Sequence, residues 1–502
     1  MSKLFLLAIG GSGARVVRSL TMLFAAGMRL PGVDHVVPVL IDPDTTNGDV
    51  QRTVELLKRY NRLHKALYDG KHKDPALGGF FSQSMPTLAS LQTVGATDQL
   101  TEQFVYDLGG ITKSFRDYLN YNTLPVETQG LLDLLFTTDS LSANLNVGFR
   151  GSPNVGSVVL NRLVDTKEMR YLAHSLATGD RIFFISSIFG GTGAAGFPLL
   201  VKNLRDDSQR LPNSGIRLGV KTGALVLLPY FVLEQPAPVA AKEAKKDFID
   251  SNSFITKTKT ALEYYATNLE GVQAYYYLGD QPGQPLENNP GLAAQQNPAH
   301  LLELIGALAV PHFAEISDNE LDTSPGARPL YHEFGLIQDA GDEIDFSHFP
   351  EDLRRKVARP LIQLHYFARF FQNNLRKSAK DIPFAKALNL VAELDNNLNL
   401  RELTQFFGEY NDWLRELGVQ RRQLNALRAD EIDFNKMVVD KTIPTGFFSK
   451  GITDKNFSGA LNTAVKNKTV PTNPDAGQVL RWVVGAFEQA TDALIKDELK
   501  YT

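Results

Sequence analysis

The run Phe189-Gly190-Gly191-Thr192-Gly193-Ala194-Ala195-Gly196 constrains this chain more than any other stretch. Upstream, Arg181-Ile182-Phe183-Phe184-Ile185-Ser186-Ser187 is apolar and branched, the pattern of a buried strand; downstream, Phe197 to Leu204 reads as a helix. Glycines at a strand-to-helix turn let the backbone approach a ligand closely. The first amides of the helix, unpaired within it, point outward where an anion is welcome. Ordering four glycines in one turn is entropically unfavourable, and a ligand cradle accounts for keeping them better than a merely tight turn does.

Two further loops of this kind lie upstream. Leu4 to Ile9 has a buried-strand pattern and runs into Gly10-Gly11-Ser12-Gly13. A helix from about Ala14 to Ala26 follows, with Val16, Val17, Leu20 and Leu23 as its apolar face and Arg15 and Arg18 off that face. The second loop, Gly148-Phe149-Arg150-Gly151-Ser152-Pro153-Asn154-Val155-Gly156, precedes another apolar helix.

In that order the three loops resemble the tubulin/FtsZ superfamily of GTP-binding proteins, from Met1 to Phe313. Chains of that family open with a Gly-Gly-rich strand–turn–helix, carry a Gly-Ala-Gly-x-x-Pro-x-x-Gly loop, and cradle the phosphates with a GGGTGTGA-type signature. Gly151 to Gly156 is a shortened form of the second loop, and Gly190 to Gly196 is close to the third.

The resemblance implies GTP or GDP as ligand, with Mg²⁺. Gly10, Gly11, Ser12 and Gly13 would face the phosphates, together with Gly151 and Ser152. Gly190, Gly191, Thr192 and Gly193 would surround the β-phosphate. Asp42 and Asp44 fall after the second strand, where a carboxylate acts through Mg²⁺; Asp44 is the metal candidate, and Asp42 is equally readable as a turn cap or ribose contact. Arg150 supplies charge to the γ-phosphate or is an exposed loop residue. Glu234 matches a ribose-binding glutamate with one extra residue of spacing, and Asp280 a base- or ribose-binding turn. Asn297 falls where the family reads the guanine edge, and is equally readable as a helix N-cap. Asn319 and Asp322, in Ile316 to Asp322, correspond to the loop that completes hydrolysis in the next subunit, without the family's leading glycine and full acid pattern. Self-association with slow hydrolysis is the expectation. A GTP-binding scaffold without turnover is the alternative.

Strands alternate with helices through the first three hundred residues, so the fold class is α/β, a Rossmann-like parallel sheet covered on both faces. The expected organisation is a GTP-binding domain over 1–316, with a helical insertion at 51–146 and a central helix at 297–315 beginning at Asn297-Pro298. A helix-rich region follows over 317–502, with one strand near Glu333 to Gln338.

Other classes fit poorly. A net charge of −4 gives no basic field for a nucleic-acid backbone. The absence of cysteine excludes disulfides and thiolate chemistry and suits a cytoplasmic location. No apolar run is long enough to span a bilayer. There is no Gly-x-x-x-x-Gly-Lys-Ser/Thr loop, Gly-x-Ser-x-Gly elbow or His-Glu-x-x-His. A nicotinamide-dependent oxidoreductase would use Gly11-Ser12-Gly13 and Asp42, but Val16 breaks Gly-x-Gly-x-x-Gly and two glycine loops are left without a role. Further protein partners remain open.

Overall fold

The computed structural model describes residues 2–68, 79–93, 95–97, 99–106, 113–145, 148–149, 151–208, 210–234, 251–287, 291–324, 326–333, 335–336, 341–440, 451–466, 468–497 and 499. Six parallel strands form the central sheet: β1 (Lys3–Ile9), β2 (His35–Ile41), β3 (Arg181–Ser187), β4 (Lys221–Leu227), β5 (Ala274–Leu278) and β6 (Leu330–Glu333). Their order is β2-β1-β3-β4-β5-β6. After the first residue, β1 to β4 are buried throughout, as expected of strands covered on both faces. Beside β2 a parallel bridge joins Leu40 to Val105, a rudimentary further strand.

The chain leaves β1 toward β2 and then returns past β1 to start β3. The switch point therefore lies between the carboxyl ends of β1 and β3, where open α/β sheets form a crevice. Helix α1 (Gly10–Ala25) follows β1, α2 (Gly48–Leu67) follows β2, α3 (Pro153–Leu160) precedes β3, and α4 (Thr192–Arg205) follows β3. Successive side chains of β3 show the two covered faces. Phe183 packs on Phe313 at 5.3 Å between centroids, and Phe184 packs on Phe197 of α4 at 5.5 Å.

The expected central helix differs from its prediction. The chain is non-helical at Asn297; His300 caps α5 (Leu301–Ala307), and a separate helix, α6 (Ala309–Glu315), follows after a break at Leu308. The His300 imidazole accepts from Leu302 N at 3.1 Å while Glu303 accepts from His300 N at 3.0 Å, a capping box that fixes the start. Pro311 has no amide to give the Ala307 carbonyl, which accounts for the break.

Within 51–146, α2 is helical to Leu67; the described residues beyond it form short helices and irregular chain, including Val126–Leu135. Helix α4 begins at Thr192, five residues before the expected start. The last described strand of the sheet is Leu330–Glu333; most of the stretch from Phe334 to Gln338, where the sequence suggests a strand, lies outside the described residues. Beyond it, α7 (Glu351–Asn373), α8 (Leu398–Gly418), α9 (Asp454–Val465) and α10 (Ala476–Asp497) build an aromatic core. There Phe370 stacks on Phe457 at 4.2 Å and Phe367 on Phe487 at 4.3 Å. This core is continuous with that under the sheet: Phe81 meets Phe406 at 4.9 Å, and Trp413 Nε1 donates to Ser19 Oγ of α1 at 3.2 Å.

Candidate functional site

One cleft opens at the carboxyl ends of β1 and β3, and all three glycine loops line it. It is partly open to solvent. Gly10, Gly11 and Ser12 come from the first loop, Gly148, Phe149 and Gly151 from the second, and Gly190 to Gly193 from the third. A side chain on Gly191 would reach 3.0 Å from Gly151 N, and one on Gly10 would reach 3.6 Å from Thr192 Cβ, so the loops abut one another. Gly10 and Gly151 have φ of +75° and +73°, the region that glycine enters without strain.

Three helices begin at these loops. In α1, α3 and α4 the first turn carries no acidic side chain and no side-chain cap bond. Their leading amides and the positive ends of their dipoles are thus left for whatever occupies the cleft. By contrast α2, which also starts at the cleft, is capped: Asn47 Oδ1 accepts from Asp49 N at 2.9 Å.

Among the described residues, the side chains around the cleft are on balance acidic. Asp42, Asp44, Glu287 and Arg15 line it, and Arg15 is already committed. Its guanidinium donates to Glu303 at 2.6 Å, Asp49 at 2.8 Å and the Tyr230 hydroxyl at 2.8 Å. Arg15, Asp49 and Glu303 are almost wholly buried. The expectation that Arg15 and Arg18 face away from the core is corrected here: both are buried, and Arg18 pairs with Glu416 of α8 at 2.6 Å. Each cation met a carboxylate brought from far along the chain, which local periodicity does not record.

Asp42 and Asp44 differ in kind. Asp44 accepts from Thr46 N (3.1 Å), Thr46 Oγ1 (2.7 Å) and Leu292 N (2.6 Å), so it holds two loops together and has little capacity left for a metal. Asp42 accepts from Asp44 N at 3.0 Å through Oδ1. Burial, opposed by that hydrogen bond and reinforced by the charges of Asp44 and Asp49, pushes its carboxyl up to about 7. Of the two, Asp42 has fewer of its lone pairs already taken. Among the described residues no three His, Asp or Glu side chains are grouped to hold a metal by themselves.

Other expected contacts fall elsewhere. Gly13 is a packing residue: a Cβ there would lie 2.9 Å from Ala8 C and Ile185 O, so it seats α1 on the sheet. Ser152 flanks α3 outside the lining. Glu234 is exposed and outside the lining, while its neighbour Leu233 contributes to the wall. Asp280 pairs with Arg422 at 2.8 Å instead of facing the cleft. Asn297 does line the cleft. Arg150 lies outside the described residues.

Asn319 and Asp322 are exposed and far from this cleft. Arg181, the first residue of β3, donates to Ile316 O and to Asp318, both at 2.7 Å, which fixes Ile316 to Asp322 at the amino end of the sheet. With seven residues in β3, that is roughly 20 Å from the cleft.

The residues missed by sequence reasoning are Asn47, Asp49, Gln295 and Glu303. The pattern Asn47-Gly48-Asp49 ahead of an amphipathic helix is an N-cap signal with a first-turn acid, and could have placed α2 at the site. Nothing local marks Gln295 or Glu303. Compared with protein-family models, curated proteins and solved structures, the chain finds no match.

Proposed function

We propose that this chain is a tubulin/FtsZ-like GTP-binding protein that self-associates head to tail and hydrolyses GTP slowly between subunits. The observation that carries the reading is the convergence of three uncapped helix N-termini on one cleft at the switch point of a parallel sheet. Backbone amides, not lysines, would hold the phosphates. Because the side chains around the cleft are net acidic, a triphosphate would enter with Mg²⁺, which neutralises phosphate charge beside Asp42. With no self-sufficient metal cluster among the described residues, the ion's remaining ligands would be phosphate oxygens and water.

The position of Asn319 and Asp322 supports turnover in trans. A loop at the amino end of the sheet cannot reach the cleft of its own chain, but it would face the cleft of a second copy if one stacked in the same orientation. Asp322, whose carboxyl is held below the usual carboxylate range by the Ser324 hydroxyl and then the Ser324 amide, would orient water rather than bind nucleotide.

Nucleotide-dependent thermal unfolding tests the reading, because a ligand of the native state raises stability by RT ln(1 + [L]/Kd). Mg-GTP and Mg-GDP should shift the transition more than Mg-ATP or NAD. Equal shifts with ATP, or a shift with NAD alone, would refute it. Light scattering and phosphate release over a protein concentration series separate the assembling enzyme, with turnover rising faster than linearly, from a scaffold that binds without turnover.

A further inference from the structure

Asn297 is usable for reading a base only if its amide has a defined direction, and the structure contains a device that defines it. Its Nδ2 donates to Asp49 Oδ2 at 2.9 Å and its main-chain amide to Asp49 Oδ1 at 3.0 Å. Asp49 is buried and also accepts from Arg15 and Arg52, each at 2.8 Å, so its two oxygens take four donors. With two donors already on each oxygen, the Asp49 carboxyl can only accept. The nitrogen end of the Asn297 amide must therefore face Asp49, and the oxygen end is left on the cleft side.

We propose that Asp49 is a positioning residue that locks Asn297 as a hydrogen-bond acceptor toward the ligand's base, which selects a base edge carrying N–H donors. Guanine carries two adjacent donors, N1–H and the 2-amino group. A parallel arrangement sits beside it: Asn47 Nδ2 donates to Gln295 Oε1 at 2.8 Å, which leaves the Gln295 nitrogen as the cleft-side donor. The acceptor at 297 and the donor at 295 together give the polar wall of the cleft a fixed direction. This inference rests on the reading of the cleft as a nucleotide site.

The experiment measures affinity for Mg-GTP and for inorganic tripolyphosphate, which engages the glycine loops without a base. In Asp49→Asn one end of residue 49 becomes a donor, and the Asn297 amide turns over to meet it, presenting its NH₂ to the cleft. GTP affinity should fall by about tenfold or more while tripolyphosphate affinity stays within about threefold. In Asp49→Asn/Asn297→Asp the new NH₂ donates to a carboxylate whose other oxygen faces the cleft, so GTP selectivity should return. The loss of the Asp49 contact to Arg15 is common to both variants and cancels in the comparison.

Asn297→Ala keeps the Asp49 ion pairs and should lose the same selectivity, which covers the case in which Asp49→Asn fails to fold. An unchanged GTP-to-tripolyphosphate ratio in Asp49→Asn or Asn297→Ala, or a double variant no better than the single, overturns the role of Asp49. Failure of the unaltered protein to bind either ligand overturns the nucleotide reading itself.

Discussion

Replacing Asp42 by Asn should remove a pH-dependent cost that the cleft imposes on the empty protein. The Asp42 carboxyl is raised from 3.8 to about 7, chiefly by burial. A group whose folded value is raised contributes stability that is complete below the unfolded value and lost as pH rises through the folded one. Between pH 5 and pH 7 the unfolded chain has released this proton while the folded chain still holds it. Two pH units at 1.36 kcal/mol each put the loss at about 2.7 kcal/mol, an upper figure because the cleft is open to water on one side. Urea unfolding of both proteins at pH 5 and pH 8 isolates the effect as a difference of differences, since other titrating groups are shared. Asp42→Asn should gain on the unaltered protein by up to about 2.7 kcal/mol on going to pH 8. Mg-GTP should shrink that gain by supplying the cation the carboxylate lacks. Identical pH dependence in the two proteins would refute the argument.

Three further outcomes follow from the packing. Gly193→Ala places a Cβ 2.6 Å from Ser187 O and should destabilise by about 1–3 kcal/mol or prevent folding, whereas Gly11→Ala, with its nearest atom at 3.6 Å, should fold normally and weaken nucleotide binding. Circular dichroism melts with and without nucleotide distinguish the two. Arg15→Met takes the cation from buried Glu303 and leaves Asp49 with Arg52 alone, and should cost about 3–5 kcal/mol in chemical denaturation. Asp322→Ala should leave GTP affinity unchanged, slow phosphate release and prolong any assembly seen by light scattering; weakened GTP binding would contradict its place at the opposite end of the sheet.

The parts of the fold legible in the sequence are those set by local physics. The buried strands announce themselves as branched apolar runs, and the three loops announce themselves by glycine between strand and helix. The cleft follows from those two signals and the parallel order. The parts that were not legible depend on partners distant in the chain. Arg15 reads as solvent-facing until Asp49 and Glu303 are brought to it. Asn297 reads as a helix start because Asn-Pro so often is one; here it is non-helical and bonded to Asp49, and His300 with Glu303 starts the helix instead. Glycines alone also do not reveal which of them have room for a side chain: Gly13 and Gly193 press on strand backbone, while a Cβ on Gly11 would make only ordinary contact with Asp49 and Arg15.

The central claim is that backbone amides of three helix starts hold the phosphates of a guanine nucleotide. Hydrogen–deuterium exchange of the whole protein, with and without Mg-GTP, measures those amides directly. Slowed exchange is expected in peptides covering 9–15, 148–156 and 188–195 together, with tripolyphosphate reproducing most of the effect. Binding of Mg-GTP that leaves all three segments unchanged, or protects only one of them, would contradict it.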